Sequence, residues 1–116
     1  MSSIANMIHT AKVKDRRIHW DNREIVQHGI NSDAIKLDLD PEFSGLDRIE
    51  VWLTTDAIAP EAFEVARDGL LVIPERFMEV PGRLGVAVVA KGEGTRIVTM
   101  KSGSDLMVTP CGQEVM

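Results

Sequence analysis

The stretch Ala34-Ile35-Lys36-Leu37-Asp38-Leu39-Asp40 decides the fold class, because its apolar and polar residues alternate without a break. Successive side chains of a β-strand point to opposite faces, so one face carries isoleucine and leucine and the other lysine and aspartate. This alternation is typical of a strand that is buried on one face only. Pro41 follows directly and cannot donate to a β-ladder, which predicts that the strand ends there.

Residues 47–55 repeat the alternation after a turn at residues 42–45. The register decides which face is buried, since a slip of one residue would exchange the two faces. The pattern predicts an apolar face of Ile49, Val51 and Leu53 and a polar face of Arg48, Glu50, Trp52 and Thr54.

Turn residues divide the remaining chain into further short strands. Hairpins are predicted around Asp15-Arg16, around Asp68-Gly69 and across residues 92–95, and a last strand at residues 105–109. Residues 74–78 suit a single helical turn, since proline is favoured at the first helical position.

The number of strands and the near absence of helix predict the architecture. Roughly seven to nine short strands separated by turns are typical of a sandwich or barrel. The prediction is an all-β fold, an antiparallel β-sandwich of Ig-like or jelly-roll-like type with at most one short helical turn. Its core is predicted to contain Ile35, Leu37, Leu39, Ile49, Val51, Leu53, Leu84, Val86, Val88, Ile97 and Val108.

Length and charge limit the domain organisation and the kinds of partner. A chain of 116 residues fits one domain, here predicted as a flexible arm at 1–10, a sandwich at 11–109 and a tail at 110–116. The net charge of -5 is spread along the chain without a basic stripe, so no nucleic-acid partner is expected. With no signal peptide and no apolar run near the roughly 18 residues that span a bilayer, we expect cytoplasmic synthesis and no membrane.

The residues that could carry chemistry do not form a recognised motif. Residues 38–45 place Phe43 where an EF-hand calcium loop needs glycine, and both flanks are predicted strands. The spacing of His9, His19 and His28 matches no zinc pattern, and the single Cys111 cannot form an internal disulfide. We therefore predict no catalytic, metal-binding or cofactor-binding residues, and a protein that is not an enzyme.

The two tryptophans are the residues most informative about binding. Trp52, with Arg48 and Glu50 on the same predicted polar face, is a candidate interface anchor, because exposed Trp and Arg are enriched at binding hot spots. Trp20 shares a face with Ile18 and is predicted to contact the core, and it is kept as a second interface candidate. A flat indole could alternatively stack on a sugar ring.

The order of segments over residues 11–108 resembles a known domain family. It is similar to the small β-sandwich domain, of the amino-terminal upper-baseplate, tail or head-fibre type, in structural proteins of tailed phages and prophages of Gram-positive bacteria. The resemblance is carried by residues 17–20 (RIHW), 25–29 (IVQHG), 34–39 (AIKLDL), 43–46 (FSGL), 48–53 (RIEVWL), 68–74 (DGLLVIP) and 81–89 (PGRLGVAVV).

The resemblance implies a role without catalysis. It predicts a virion structural protein that docks onto other virion proteins or onto itself, as a trimer or hexamer, and that ends up in the virion. The alternative is a small ligand-binding module, for example one that binds carbohydrate through Trp20 or Trp52.

Overall fold

The computed structural model describes residues 7–43, 45–66, 69–101 and 103–112, and these form two packed β-sheets. The predicted all-β, sandwich-like fold is confirmed. Two 3-10 turns, at Pro41–Phe43 and Glu75–Met78, complete the regular structure of these residues. The strands are β1 (Met7–Lys14), β2 (Arg17–Trp20), β3 (Glu24–Val26), β4 (Asp33–Leu39), β5 (Arg48–Thr54), β6 (Glu61–Val65), β7 (Leu70–Val72), β8 (Gly82–Gly92), β9 (Thr95–Val98) and β10 (Leu106–Thr109).

The two sheets are mixed rather than purely antiparallel. The small sheet has the order β2-β1-β4-β7, and the large sheet has the order β3-β10-β8-β5-β6, with β9 also paired to β8. The pairs β1–β4 and β3–β10 are parallel, which corrects the prediction of an antiparallel sandwich. Alternation shows which face of a strand is buried, but it carries no information on the direction of the partner strand.

The core lies between the inner faces of the two sheets. Of the eleven core candidates named from the sequence, ten are buried, and Leu39 is partly buried against the same cluster. The two 3-10 turns add Phe43, Phe77 and Met78, each at most 1 % exposed. Burying a side chain of this size contributes roughly 1.5–3 kcal/mol of transfer free energy, so both turns help to close the core.

Two of the three predicted hairpins form. Asp15 and Arg16 take positive φ values of 53° and 62° between β1 and β2, as a two-residue type I′ turn requires. Gly94, with a φ of 72°, completes the turn between β8 and β9. The third hairpin is wrong, because β6 pairs with β5 in the large sheet and β7 with β4 in the small sheet. The chain crosses between the sheets there, and Asp68 lies outside the described residues.

Described residues of the predicted arm and of the predicted tail contact the sandwich. β1 begins at Met7 rather than at Ala11, so residues 7–10 of the predicted arm belong to the small sheet. In the predicted tail, the backbone N–H of Cys111 donates to Oε1 of Gln27 across 3.4 Å. Residues 1–6 of the arm and 113–116 of the tail lie outside the described residues.

Candidate functional site

Trp52 lies on the outer face of the large sheet, as the alternation in β5 predicts. Ile49, Val51 and Leu53 point inward and are at most 3 % exposed, whereas Trp52 is partly buried. Its direct neighbours across the sheet are Ala62 on β6 and Ala87 on β8. Neither alanine has a side chain beyond Cβ, so the sheet leaves room beside the indole ring.

Glu50 fixes the indole from the same strand. Its carboxylate accepts the indole N–H of Trp52 at 3.1 Å and lies 3.3 Å from Nζ of Lys91, although Glu50 is only 8 % exposed. Burial alone would raise the pKa of this carboxyl, but the hydrogen bonds from Trp52 and Lys91 outweigh it and hold the pKa of Glu50 below its ordinary value of 4.5. Arg48, next on this face, is exposed and 3.9 Å from Glu64.

A cleft of about 400 Å³ opens between Trp52 and a gap in the large sheet. The gap arises because β9 pairs only with residues 89–92 of β8 and β10 only with residues 82–84. The outward side chains of residues 85–89 of β8 form the floor. Apolar groups dominate the lining, including Trp52, Pro60, Ala87, Val89 and Val98.

One end of the cleft is polar. Thr54, Gly85, Lys101 and Asp105 line both the cleft and a smaller adjoining hollow, to which Arg83 and Asp56 contribute. Arg83 lies 3.4 Å from Asp105 and 4.0 Å from Asp56. Two cationic and two anionic side chains therefore meet at this end, and their formal charges cancel.

Trp20, the second tryptophan candidate, lies apart from this face. It is on β2 of the small sheet and packs against the core cluster. Its indole N–H donates to the carbonyl of Ser104 at 3.0 Å, so it joins the small sheet to the segment that precedes β10. The structure thus brings together Trp52, Glu50 and Arg48, three of the four predicted interface residues, and assigns Trp20 a position between the sheets.

A buried polar cluster at His9 does not follow from the sequence patterns described above. His9 is fully buried, its Nδ1 lies 2.8 Å from the carbonyl of Asn22, and its Nε2 lies 2.7 Å from Oδ2 of Asp33. Ser32 donates its hydroxyl to the other oxygen of Asp33 at 2.5 Å. The alternation of His9 with buried Ala11 and Val13 along β1 was the available signal.

The His9 cluster contains the three residue types of a hydrolase triad but not its connectivity. In such a triad, histidine bridges the serine hydroxyl and the carboxylate. Here the carboxylate of Asp33 is in the middle, and the hydroxyl of Ser32 is donated to it directly. Because both nitrogens of His9 face oxygen atoms of other groups, the ring offers Ser32 no base, and the cluster instead joins β1 to the start of β4.

The acidic and histidine side chains of the described residues are too scattered to form a metal site. Within residues 7–43, 45–66, 69–101 and 103–112, no three or more His, Cys, Asp or Glu side chains are grouped so that they could hold a metal ion. In the stretch considered for calcium, Glu42 pairs with Arg16 at 2.7 Å and Asp40 accepts the backbone N–H of Asp15.

No helix in the described part of the chain is long and apolar enough to cross a membrane.

Three exposed apolar residues on two neighbouring segments, Val26, Ile30 and Val80, are here called the apolar tip. These side chains are 58 %, 64 % and 62 % exposed, and no other large apolar side chain in the described residues is more than half exposed. The two segments that carry them are joined by hydrogen bonds from the backbone N–H of His28 to the carbonyl of Met78 and from the amide of Gln27 to the carbonyl of Glu79.

The backbone at the apolar tip is held in an uncommon conformation. His28 and Asn31, on either side of Ile30, have positive φ values of 72° and 55°. Residues other than glycine adopt this region infrequently, and such positions cluster at functional sites. His and Asn are among the non-glycine residues that adopt this region most readily, and the bond from the N–H of His28 to Met78 anchors the loop that displays Ile30.

Two sequence comparisons identify no relative of this chain. A scan against protein-family models gives no match for this chain, and a search of curated proteins finds no similar sequence.

Proposed function

We propose that the chain is a non-catalytic structural protein of a tailed-phage or prophage virion, a baseplate, tail or head-fibre component that acts by docking and self-assembly. The resemblance of residues 11–108 to the phage domain family supports the virion context. The observation that carries the docking role is the apolar tip, where the three most exposed large apolar side chains of the described residues lie on two hydrogen-bonded segments.

The composition around the apolar tip favours a protein partner. Single exposed apolar residues are common on protein surfaces, but grouped ones indicate interaction sites. Residues 25–32 contain no Asp, Glu, Lys or Arg, although 27 % of the chain is charged. Depletion of charge is the compositional mark of interface centres, so the apolar tip suits a contact that excludes water.

The arrangement of the polar residues supports a role without catalysis. In the most chemically suggestive cluster, His9 and Asp33 are buried, Ser32 is half-buried, and the hydrogen bonds are used within the fold. Docking requires a preformed surface rather than a reactive group, and the hydrogen-bonded loop at the apolar tip supplies one.

The test is the molar mass in solution, measured by light scattering after size exclusion over a wide concentration range. The proposal predicts a trimer or hexamer for the natural chain and a monomer for Ile30→Asp. Leu70→Asp is the matched control, since Leu70 is 49 % exposed on β7 and is not part of the apolar tip. A natural chain that stays monomeric at every concentration contradicts self-assembly, and an equal effect of both variants contradicts the assignment to the apolar tip.

A further inference from the structure

The cleft beside Trp52 has an apolar floor and an apolar wall, and the wall is the flat indole ring. Trp52 stands on one side, Ala87 and Val89 form the floor, and Val98 lies on the far side. The indole N–H is already bonded to Glu50, so the ring presents carbon rather than a free donor. A ligand here needs a compact apolar face that can lie against an indole.

The polar end of the cleft needs a ligand with many hydrogen-bonding groups and no net charge. Arg83 and Lys101 are donors, Asp56 and Asp105 are acceptors, and Thr54 offers a hydroxyl oxygen. The two cationic and two anionic side chains offset each other, so the net charge of this end favours neither a simple anion nor a simple cation. Hydroxyl groups, which donate and accept, match this mixture.

The floor at the polar end is kept open by a glycine. A Cβ on Gly85 would lie 2.9 Å from Cγ2 of Thr54 and 3.7 Å from Oδ1 of Asp105. Any larger residue would therefore fill the passage between the apolar floor and the polar end. The volume of about 400 Å³ is within the range of roughly 300–1,000 Å³ typical of small-molecule sites.

We infer that this cleft binds a neutral pyranose unit of a glycan, with the C–H face of the sugar on Trp52 and its hydroxyl groups on Asp105, Lys101 and Arg83. A sugar ring combines the required apolar face and neutral, bifunctional hydroxyl groups in one small ligand. This activity is separate from the docking role, because the cleft and the apolar tip are formed by different residues.

The experiment is a titration of the full chain, labelled with ¹⁵N, with neutral, acidic and amino sugars, each as the free monosaccharide and as an oligosaccharide. The chain has only two tryptophans, so its spectrum contains two indole N–H signals, which a Trp52→Phe variant assigns. A neutral sugar is expected to shift the Trp52 signal further than the Trp20 signal, because the Trp20 indole reaches the cleft only through its bond to Ser104. The expected Kd is on the order of 1 mM for one ring. A response to neutral oligosaccharides alone would support the inference and identify a longer glycan as the source.

Two variants that replace an alanine beside Trp52 by leucine test where the sugar binds. Ala87 and Ala62 both lie directly opposite Trp52, but only Ala87 lines the cleft. Ala87→Leu is expected to weaken binding by about ten-fold or more, whereas Ala62→Leu keeps it, with thermal unfolding confirming that both variants fold. The inference is overturned if no neutral sugar shifts the Trp52 signal, if only charged sugars do, or if the two variants lose binding equally.

Discussion

The indole N–H of Trp52 is bonded to the carboxylate of Glu50, two residues earlier on the same strand and 3.1 Å away. Residues i and i+2 share one face of a strand, so β5 supplies both the aromatic ring and the group that orients it. The cleft wall is thus set by a local contact, whereas its floor and far side come from β8 and β9.

The lowered pKa of Glu50 predicts a specific dependence of stability on pH. A carboxyl whose pKa is lower in the folded than in the unfolded state stabilises the fold above its ordinary value of 4.5, and this stabilisation is lost as the pH falls through the folded value. Glu50→Gln is expected to lower the free energy of unfolding by about 1 kcal/mol at neutral pH and to weaken the acid dependence. Urea unfolding across pH measures both.

Glu64→Gln is the control for Glu50, because Glu64 is also on the outer face but is 68 % exposed and 3.9 Å from its cation. Exposed pairs of this kind contribute little. Equal losses of stability in the two variants, or an unchanged acid limb in Glu50→Gln, would contradict the role of the buried carboxylate.

The buried contact between His9 and Asp33 predicts a large effect on stability. Asp33→Asn removes the carboxylate that faces Nε2 of His9 and accepts the hydroxyl of Ser32. Because asparagine offers one acceptor oxygen where the carboxylate offers two, either His9 or Ser32 loses its acceptor, and we expect a loss of about 2 kcal/mol in the free energy of unfolding. Asp38→Asn, on the exposed face of the same strand, is expected to be near neutral; similar losses in the two variants would show that the contact contributes little.

The turn between β8 and β9 predicts a backbone effect. Gly94 has a φ of 72°, and alanine in its place is expected to cost about 1 kcal/mol of stability. Gly112→Ala is the control, since Gly112 has no strained φ and a Cβ added there would meet no atom within 4 Å. Thermal or urea unfolding distinguishes the two, and an unaffected Gly94→Ala would contradict the turn geometry.

The local features of the fold could be predicted from the sequence. The alternation in residues 34–39 and 48–54 indicated the correct buried faces, including the outward position of Trp52, because period-two patterning directly reflects side-chain direction. The turn at Asp15-Arg16 could also be predicted, because it depends only on adjacent residues. The Asp-Gly signal at residues 68–69 failed because a turn signal does not reveal whether the next strand stays in the same sheet.

The candidate sites depend on contacts that are distant in sequence. The cleft requires Ala87 opposite Trp52 and a gap between β9 and β10, and the first of these follows from strand pairing over more than thirty residues. The apolar tip requires Gln27 and His28 to bond the segment around Met78. His9 falls in the predicted flexible arm because the parallel pairing of β1 with β4 leaves no trace in a local pattern.

The most direct test of the docking role is backbone hydrogen–deuterium exchange of the natural chain at high and low protein concentration. Exchange at residues 26–31 and 78–80 is expected to slow as the protein concentration rises, because association at the apolar tip excludes water from these segments. Exchange along β4 is expected to stay constant. The docking role would be contradicted if exchange slowed elsewhere but not at the apolar tip. It would also be contradicted if all exchange rates were independent of concentration.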